Sequence, residues 1–106
     1  MTFRVVTTSE ADSDVASIWL FINSHSPQGA AAWLDAYDLA TEKVAVNADS
    51  CPLTEEYERF DVEVRETSFK TRRGKRYRLV FTIAGNEIRI LRVRGPGQSA
   101  INPNDI

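Results

Sequence analysis

An antiparallel hairpin is the feature of this sequence that most constrains the fold. Residues 77–94 read YRLVFTIAGNEIRILRVR, and large apolar side chains recur at every second position from Tyr77 to Ile83. That alternation is typical of a strand with one buried face. Gly85-Asn86 supplies a two-residue turn, and Glu87–Arg94 forms the return strand. The chain is therefore expected to contain an antiparallel sheet.

The turn also predicts how the two strands pair. The expected cross-strand pairs are Phe81 with Ile90, Ile83 with Ile88, Leu79 with Arg92, and Tyr77 with Arg94. The apolar residues of the return strand change phase between Ile90 and Leu91. Either a bulge lies near Ile90, or both faces of this strand are partly covered.

Two amphipathic helices are predicted ahead of the hairpin. The first begins at Ser9, which acts as N-cap, and ends near Asn23. The second is capped by Ser26, begins at Pro27 and ends near Ala48. Their apolar stripes are Ala11, Val15, Ile18, Trp19 and Ile22 in the first helix, and Ala30, Trp33, Tyr37, Ala40 and Val44 in the second. A short link joins them, so we expect a helical hairpin.

Two short strands complete an α+β prediction. Residues 2–8, TFRVVTT, predict a strand at the start of the chain, and Val62–Glu66 predicts another before the β-hairpin. The order β-αα-βββ indicates a small antiparallel sheet with the N-terminal strand and a helical hairpin packed on one face, leaving the basic residues on the other face. Residues 1–95 form one domain, and 96–106 are expected to be a flexible tail.

Charge is strongly segregated along the chain. Residues 65–94 hold ten of the thirteen basic residues and two of the fifteen acids, although the net charge is −2. Such a segment is often a solvated face, but it can also attract polyanions. The apolar runs are short, so we expect a cytoplasmic protein without a membrane partner. With one cysteine and one histidine, neither a disulfide framework nor a metal cluster is expected, and no cofactor is predicted.

The sequence resembles the RelE/ParE superfamily of type II toxin-antitoxin toxins, which includes plasmid stabilisation proteins. The likeness lies in the β-αα-βββ order, in SPQGAAAWLDAYDLA and above all in RRGKRYRLVFTIAGNEIRILRVR, and it spans about residues 2–95. It implies a bacterial toxin silenced by a cognate antitoxin. The target is either ribosome-bound mRNA, cleaved by an endoribonuclease of RelE type, or DNA gyrase, inhibited by a ParE-type binder. The resemblance leaves the oligomeric state open between a homodimer and a toxin-antitoxin hetero-oligomer.

The resemblance also implies site residues. Arg78 matches the position that binds the scissile phosphate in the ribonuclease branch, and Arg73 and Arg94 are the other catalytic candidates. The candidate nucleic-acid-binding residues are Arg65, Lys70, Arg72, Lys75, Arg76 and Arg92. Just after the last strand, active ribonucleases usually offer His, Arg or Lys and then Tyr. Residues 95–106 contain none of these, so the ribonuclease pattern is incomplete.

RNA cleavage without a metal needs a base, cations and an acid. Arginines supply cations, but they stay protonated at neutral pH and are poor proton shuttles. Glu63 or Glu66 is the candidate base, and Tyr77 is a candidate to stack on a nucleobase. His25, in the link between the helices, is predicted to be a surface residue. Enzyme activity therefore stays open.

Three functions fit these residues. The first is a RelE-type ribonuclease, and the second is a ParE-like binder of gyrase without bond-breaking chemistry, which the missing His/Tyr ending favours. The third is a toxin-fold protein that has lost activity and only binds an antitoxin-like partner. All three imply a small partner that covers apolar surface and neutralises part of the basic segment.

Overall fold

The computed structural model describes residues 2–98 and 100–106. The helices and strands, in chain order, are β1 (Arg4–Thr7), α1 (Ser9–Asn23), α2 (Pro27–Asn47), β2 (Arg65–Phe69), β3 (Tyr77–Ala84) and β4 (Glu87–Arg94). Single turns of 3₁₀ helix lie at Ala48–Ser50, Tyr57–Arg59 and Pro103–Asp105. The α+β class and the predicted order of elements are confirmed.

The four strands form one sheet in the order β1-β4-β3-β2. β3 runs antiparallel to both β2 and β4, as predicted, but β1 pairs with β4 in parallel, with Thr7 opposite Ile90. The sheet is therefore mixed, which corrects the expectation of an antiparallel sheet at this one strand. No tight turn links β1 to a neighbouring strand, so the sequence around β1 carries no signal for its direction.

The β-hairpin has the predicted turn, with Gly85 at φ +65°, a conformation that glycine adopts without a steric penalty. Phe81 lies opposite Ile90 and Ile83 opposite Ile88, as expected. The register then shifts, and the next pairs are Val80 with Arg92, Leu79 with Val93 and Arg78 with Arg94. The predicted pairs of Leu79 with Arg92 and Tyr77 with Arg94 are wrong, because a bulge at Leu91 adds one residue to β4.

The main core lies between the helical hairpin and one face of the sheet. All five residues predicted for the α2 stripe are buried, whereas in α1 Ala11 is buried and the rest of the stripe packs against the core while partly exposed. The sheet contributes chiefly Leu79, Phe81, Ile88, Ile90 and Val93. Burial of one such side chain stabilises the fold by about 1.5–3 kcal/mol. The bulge matters here because it returns Val93 to the face of Ile90.

The helix starts follow local capping chemistry. Ser26 caps α2 as predicted, since its hydroxyl accepts a hydrogen bond from the Gly29 amide. The N-cap of α1 is Thr8 rather than Ser9. The Thr8 hydroxyl accepts a hydrogen bond from the Ala11 amide at 3.1 Å and donates to the Ile90 carbonyl at 3.0 Å. Thr8 thereby joins α1 to β4, a contact that sequence spacing alone does not show.

A second, smaller apolar cluster lies on the other face of the sheet. It consists of Val64, Val80, Leu91 and Ile101, with Phe60 packed against it. Both alternatives for β4 thus hold, because Leu91 is the bulged residue and also covers the second face. β2 begins at Arg65 and not at Val62, so its span lies three residues later than predicted.

The C-terminal segment also contributes to this second cluster. Ile101 is fully buried, so the segment expected to be a flexible tail packs on the sheet. Among the described residues, no helix is both long and apolar enough to span a membrane.

Candidate functional site

Three basic residues from β3 and β4, here called the sheet arginines, meet on the face of the sheet opposite the helices. They are Arg78, Arg92 and Arg94. Arg78 lies directly opposite Arg94 in the register, and Arg92 is two residues before Arg94, so all three share one face. Like charges directly opposite each other destabilise a sheet unless acids balance them.

Two carboxylates bind Arg78. Its Nε donates to Glu66 Oε2 at 2.6 Å, and its Nη2 donates to Glu56 Oε1 at 2.9 Å. Burial of Arg78 disfavours its charge, but the bonds to Glu56 and Glu66 raise its pKa overall. Glu56 is 8% exposed, and the hydrogen bond from Arg78, opposed by burial and supported by the Ile101 amide, lowers the pKa of Glu56 to about 2. Both partners are therefore charged at neutral pH.

Acids also hold the other two sheet arginines. Arg92 donates from Nε and Nη2 to the Asp14 carboxylate at 2.7 and 2.8 Å, and Asp14 raises the pKa of Arg92. Arg94 is 9% exposed, and its Nη2 lies 3.1 Å from Asp105 Oδ2. The Asn102 amide, with Arg94 and Arg92, lowers the pKa of Asp105. The sheet arginines are therefore neutralised within the chain.

The loop between β2 and β3, residues 70–76, is here called the basic loop. Its charges, unlike those of the sheet arginines, are exposed. Five of its seven residues are basic, and all five are exposed: Lys70, Arg72, Arg73, Lys75 and Arg76. None of them forms an ion pair with a carboxylate in the part of the chain that the structure describes. Arg76 donates to the Ser68 hydroxyl at 2.8 Å. The positive charge open to a partner is therefore concentrated in this loop.

Two of the clefts that border the basic loop differ in charge. One of about 290 Å³ lies on the helix side, where Arg73 and Lys75 face Trp33 and Ile22. The other, of about 490 Å³, lies on the arginine side and includes Arg76 and Arg78 together with acids and Ser68. The cleft at Arg78 thus already contains carboxylates, whereas the residues lining the cleft at Arg73 include none.

Three other candidate residues from the sequence do not lie beside the sheet arginines. Arg65 lies opposite Phe81, and its Nη1 donates to the Cys51 carbonyl. Glu63 lies outside β2, and its side chain is 71% exposed. Tyr77 packs with Trp33 and with Phe69 in an aromatic cluster, and burial raises its pKa. Tyr77 is thus engaged in packing on the helix side of the sheet.

Sequence reasoning missed three of the four acids that bind the sheet arginines. Glu56, Asp14 and Asp105 come from three distant segments. The charge segregation along the chain does not indicate which acid binds which arginine. His25 is exposed, as predicted. Among residues 2–98 and 100–106, no group of three or more His, Cys, Asp or Glu side chains is placed to hold a metal ion.

Apolar surface on the helical hairpin was missed as well. Leu20 and Phe21 are large, exposed and outside the predicted stripe of α1. A shallow groove of about 430 Å³ runs between the helices, lined mainly by Val15, Trp19, Leu20 and Leu34. Exposed apolar patches of this kind often mark contact surfaces for other proteins.

Comparison with known proteins agrees with this architecture. No curated protein matches the chain. A family model described as "ParE toxin of type II toxin-antitoxin system, parDE" matches residues 5–99, from β1 to beyond the end of β4. A toxin of such a system is paired with an antitoxin, so the match implies an antitoxin as partner. The chain therefore belongs to the ParE toxin family of type II toxin-antitoxin systems.

Proposed function

We propose that this toxin inhibits growth by binding DNA gyrase, without bond-breaking chemistry of its own. The observation that carries the proposal is the state of Arg78, whose guanidinium already donates to Glu56 and Glu66. A guanidinium binds phosphate through two parallel N–H donors. A scissile phosphate at Arg78 would have to displace at least one of these carboxylates.

The groups around Arg78 also support a binder without bond-breaking chemistry. A general acid or base works best with a pKa near the operating pH. Glu56 has a pKa of about 2 and stays ionised at neutral pH, and Glu66 is bonded to Arg78. Residues 95–106 offer no His, Tyr, Arg or Lys to replace them. A binder needs none of these proton transfers.

The basic loop is the surface we assign to target binding. Its five exposed cations carry the open positive charge, and the adjoining cleft places apolar Trp33 and Ile22 beside Arg73. Charged rims around an apolar centre favour association with a partner of opposite charge. An acidic antitoxin segment that covers this loop would block the toxin.

A supercoiling assay with purified gyrase tests the proposal directly. We expect the wild-type chain to inhibit supercoiling at stoichiometric amounts, and Arg73→Ala to inhibit less. Arg4→Ala is a matched control, because Arg4 is an exposed cation on β1 at the opposite edge of the sheet. Absence of inhibition by excess folded wild-type protein contradicts gyrase as the target.

A ribosome-dependent ribonuclease is the second candidate, because the exposed cations of the basic loop also suit an RNA backbone. Its test is mRNA cleavage in a translating ribosome mixture. Our proposal predicts no cleavage, whereas cleavage that Arg78→Ala abolishes would establish the ribonuclease.

Induction of the toxin alone in a bacterial host separates all three functions. Early loss of thymidine incorporation is expected for the gyrase binder, and early loss of methionine incorporation for the ribonuclease. Normal growth despite folded, abundant protein would indicate the inactive binding module.

A further inference from the structure

The C-terminal segment 101–106 lies across the face of the sheet that carries the sheet arginines. Ile101 is fully buried in the cluster formed by Val64, Val80 and Leu91. The segment adds no strand to the sheet and contains only the single turn Pro103–Asp105, which is closed by hydrogen bonds between Asn102 and Asp105. Its attachment therefore depends on side-chain anchors and a few polar contacts.

Those polar contacts join the segment to charged side chains of the sheet and of the segment after α2. The Ile101 amide donates to Glu56 Oε2 at 2.8 Å, and Arg92 Nη1 donates to the Asp105 carbonyl at 2.8 Å. Arg94 Nη2 lies 3.1 Å from Asp105 Oδ2. An aliphatic residue fills an apolar site and a carboxylate four residues later meets two arginines. Protein surfaces recognise extended peptides through anchors of this kind.

One hydrogen-bond donor of this surface is unsatisfied by the described residues. Arg94 Nε is buried and has no hydrogen-bond partner among the described residues. A buried donor without a hydrogen-bond partner destabilises the fold. Asp105 therefore satisfies Arg94 incompletely, and a carboxylate that also accepted from Nε would bind this surface better.

We propose that Val64, Val80, Leu91, Arg92 and Arg94 form a docking surface for an acidic peptide segment of a partner, which residues 101–106 occupy in the isolated chain. The partner segment carries an aliphatic residue followed four residues later by a carboxylate, the pattern of Ile101 and Asp105. This surface lies apart from the basic loop, so the inference stands independently of the gyrase proposal.

The test uses the full chain and a labelled, N-acetylated peptide, AINPNDI, with the sequence of residues 100–106. Ile101→Ser removes the anchor of the chain's own segment and frees the surface. Fluorescence anisotropy should show the Ile101→Ser chain binding the peptide about tenfold or more tightly than wild type, since burial of the Ile side chain is worth more than 1.4 kcal/mol. A peptide with Asn in place of its Asp should bind this chain about tenfold more weakly.

Ile106→Ser is the matched control chain, because Ile106 is 42% exposed and its loss leaves the anchor in place. It should bind the peptide as poorly as wild type does. Equal peptide binding by folded Ile101→Ser and wild-type chains overturns the proposal, as does equal binding of the Asp and Asn peptides.

Hydrogen exchange of the wild-type chain gives a second test that does not depend on folding of the variant. The Ile101 amide is hydrogen-bonded to Glu56 and should exchange slowly. Excess peptide should speed its exchange by displacing the segment. Rapid exchange without peptide, or exchange that the peptide leaves unchanged, also overturns the proposal.

Discussion

Glu56 and Arg78 form a two-point ion pair on the face of the sheet opposite the helices, with Nη2–Oε1 at 2.9 Å and Nη1–Oε2 at 3.3 Å. The same carboxylate accepts the Ile101 amide at 2.8 Å. One side chain thus joins the connector after α2, strand β3 and the C-terminal segment. The Glu56 carboxylate thereby neutralises the arginine that is the first catalytic candidate from the sequence.

Replacing Glu56 by Gln is expected to lower the free energy of unfolding by about 2 kcal/mol at neutral pH, because the partly buried Arg78 loses one of its two carboxylate partners. Urea denaturation followed by tryptophan fluorescence measures the difference. Glu58→Gln is the matched control, since Glu58 is an exposed acid in the same connector. A loss as small as that of the control would contradict the importance of the pair.

The pH dependence of this difference has a defined sign. The pKa of Glu56 is lowered to about 2 in the folded chain, against an ordinary value of 4.5. Its stabilising contribution is therefore complete above pH 4.5 and is lost as the pH falls toward 2. We expect the stability gap between wild type and Glu56→Gln to narrow across that window. A constant gap from neutral pH down to pH 2 would exclude this linkage.

The N-cap of α1 provides another prediction. Thr8→Ala should destabilise the chain by about 1–2 kcal/mol, because the hydroxyl both caps α1 and donates to the Ile90 carbonyl. Ser9→Ala removes a hydroxyl whose hydrogen bond is to exposed Glu10, and should change stability by about 0.5 kcal/mol or less. Thermal unfolding of the two variants measures both values, and equal losses would reject Thr8 as the cap.

Features fixed by neighbouring residues could be predicted from the sequence. The Gly85-Asn86 turn and the burial of Trp33, Tyr37 and Val44 follow from local turn chemistry and helical periodicity. Even the bulge was visible as a phase change at Leu91, although its exact place was not. Local patterns predict these because each depends on residues within a few positions of one another.

Features fixed by distant residues could not be predicted. The direction of β1 depends on its pairing with β4, more than eighty residues later in the chain. The burial of Ile101 depends on Val80 and Leu91, and the polar sequence around it resembles a free tail. Arg78 is a candidate site residue from the sequence, but its partner Glu56 is twenty-two residues away along the chain and no spacing rule connects them.

Gly95 marks the point where the chain departs from the ribonuclease pattern, and its size matters. A Cβ at this position would lie 2.9 Å from Tyr77 Cε2. The Tyr77 ring is held by Trp33 and Phe69, at centroid distances of 5.5 and 5.9 Å. Gly95→Ala is therefore expected to destabilise the chain by about 1 kcal/mol, which lowers the Tm by about 4–8 °C. An unchanged Tm would mean that Tyr77 moves freely.

The salt dependence of DNA binding distinguishes the exposed cations of the basic loop from the neutralised sheet arginines. Binding to duplex DNA serves as a probe, because the slope of log K against log salt changes by about 0.9 for each phosphate neutralised. Arg72→Ala combined with Arg73→Ala should reduce the slope by about two, since both side chains are exposed and unpaired with carboxylates among the described residues.

Arg4→Ala, at the far edge of the sheet, should leave that slope unchanged. Arg94→Gln should also leave it unchanged, because the side chain at this position is buried beside Asp105 and does not reach the DNA. If the loop variants instead keep the wild-type slope and Arg94→Gln reduces it, the polyanion must contact the sheet arginines, and residues 101–106 must leave the sheet for it to do so.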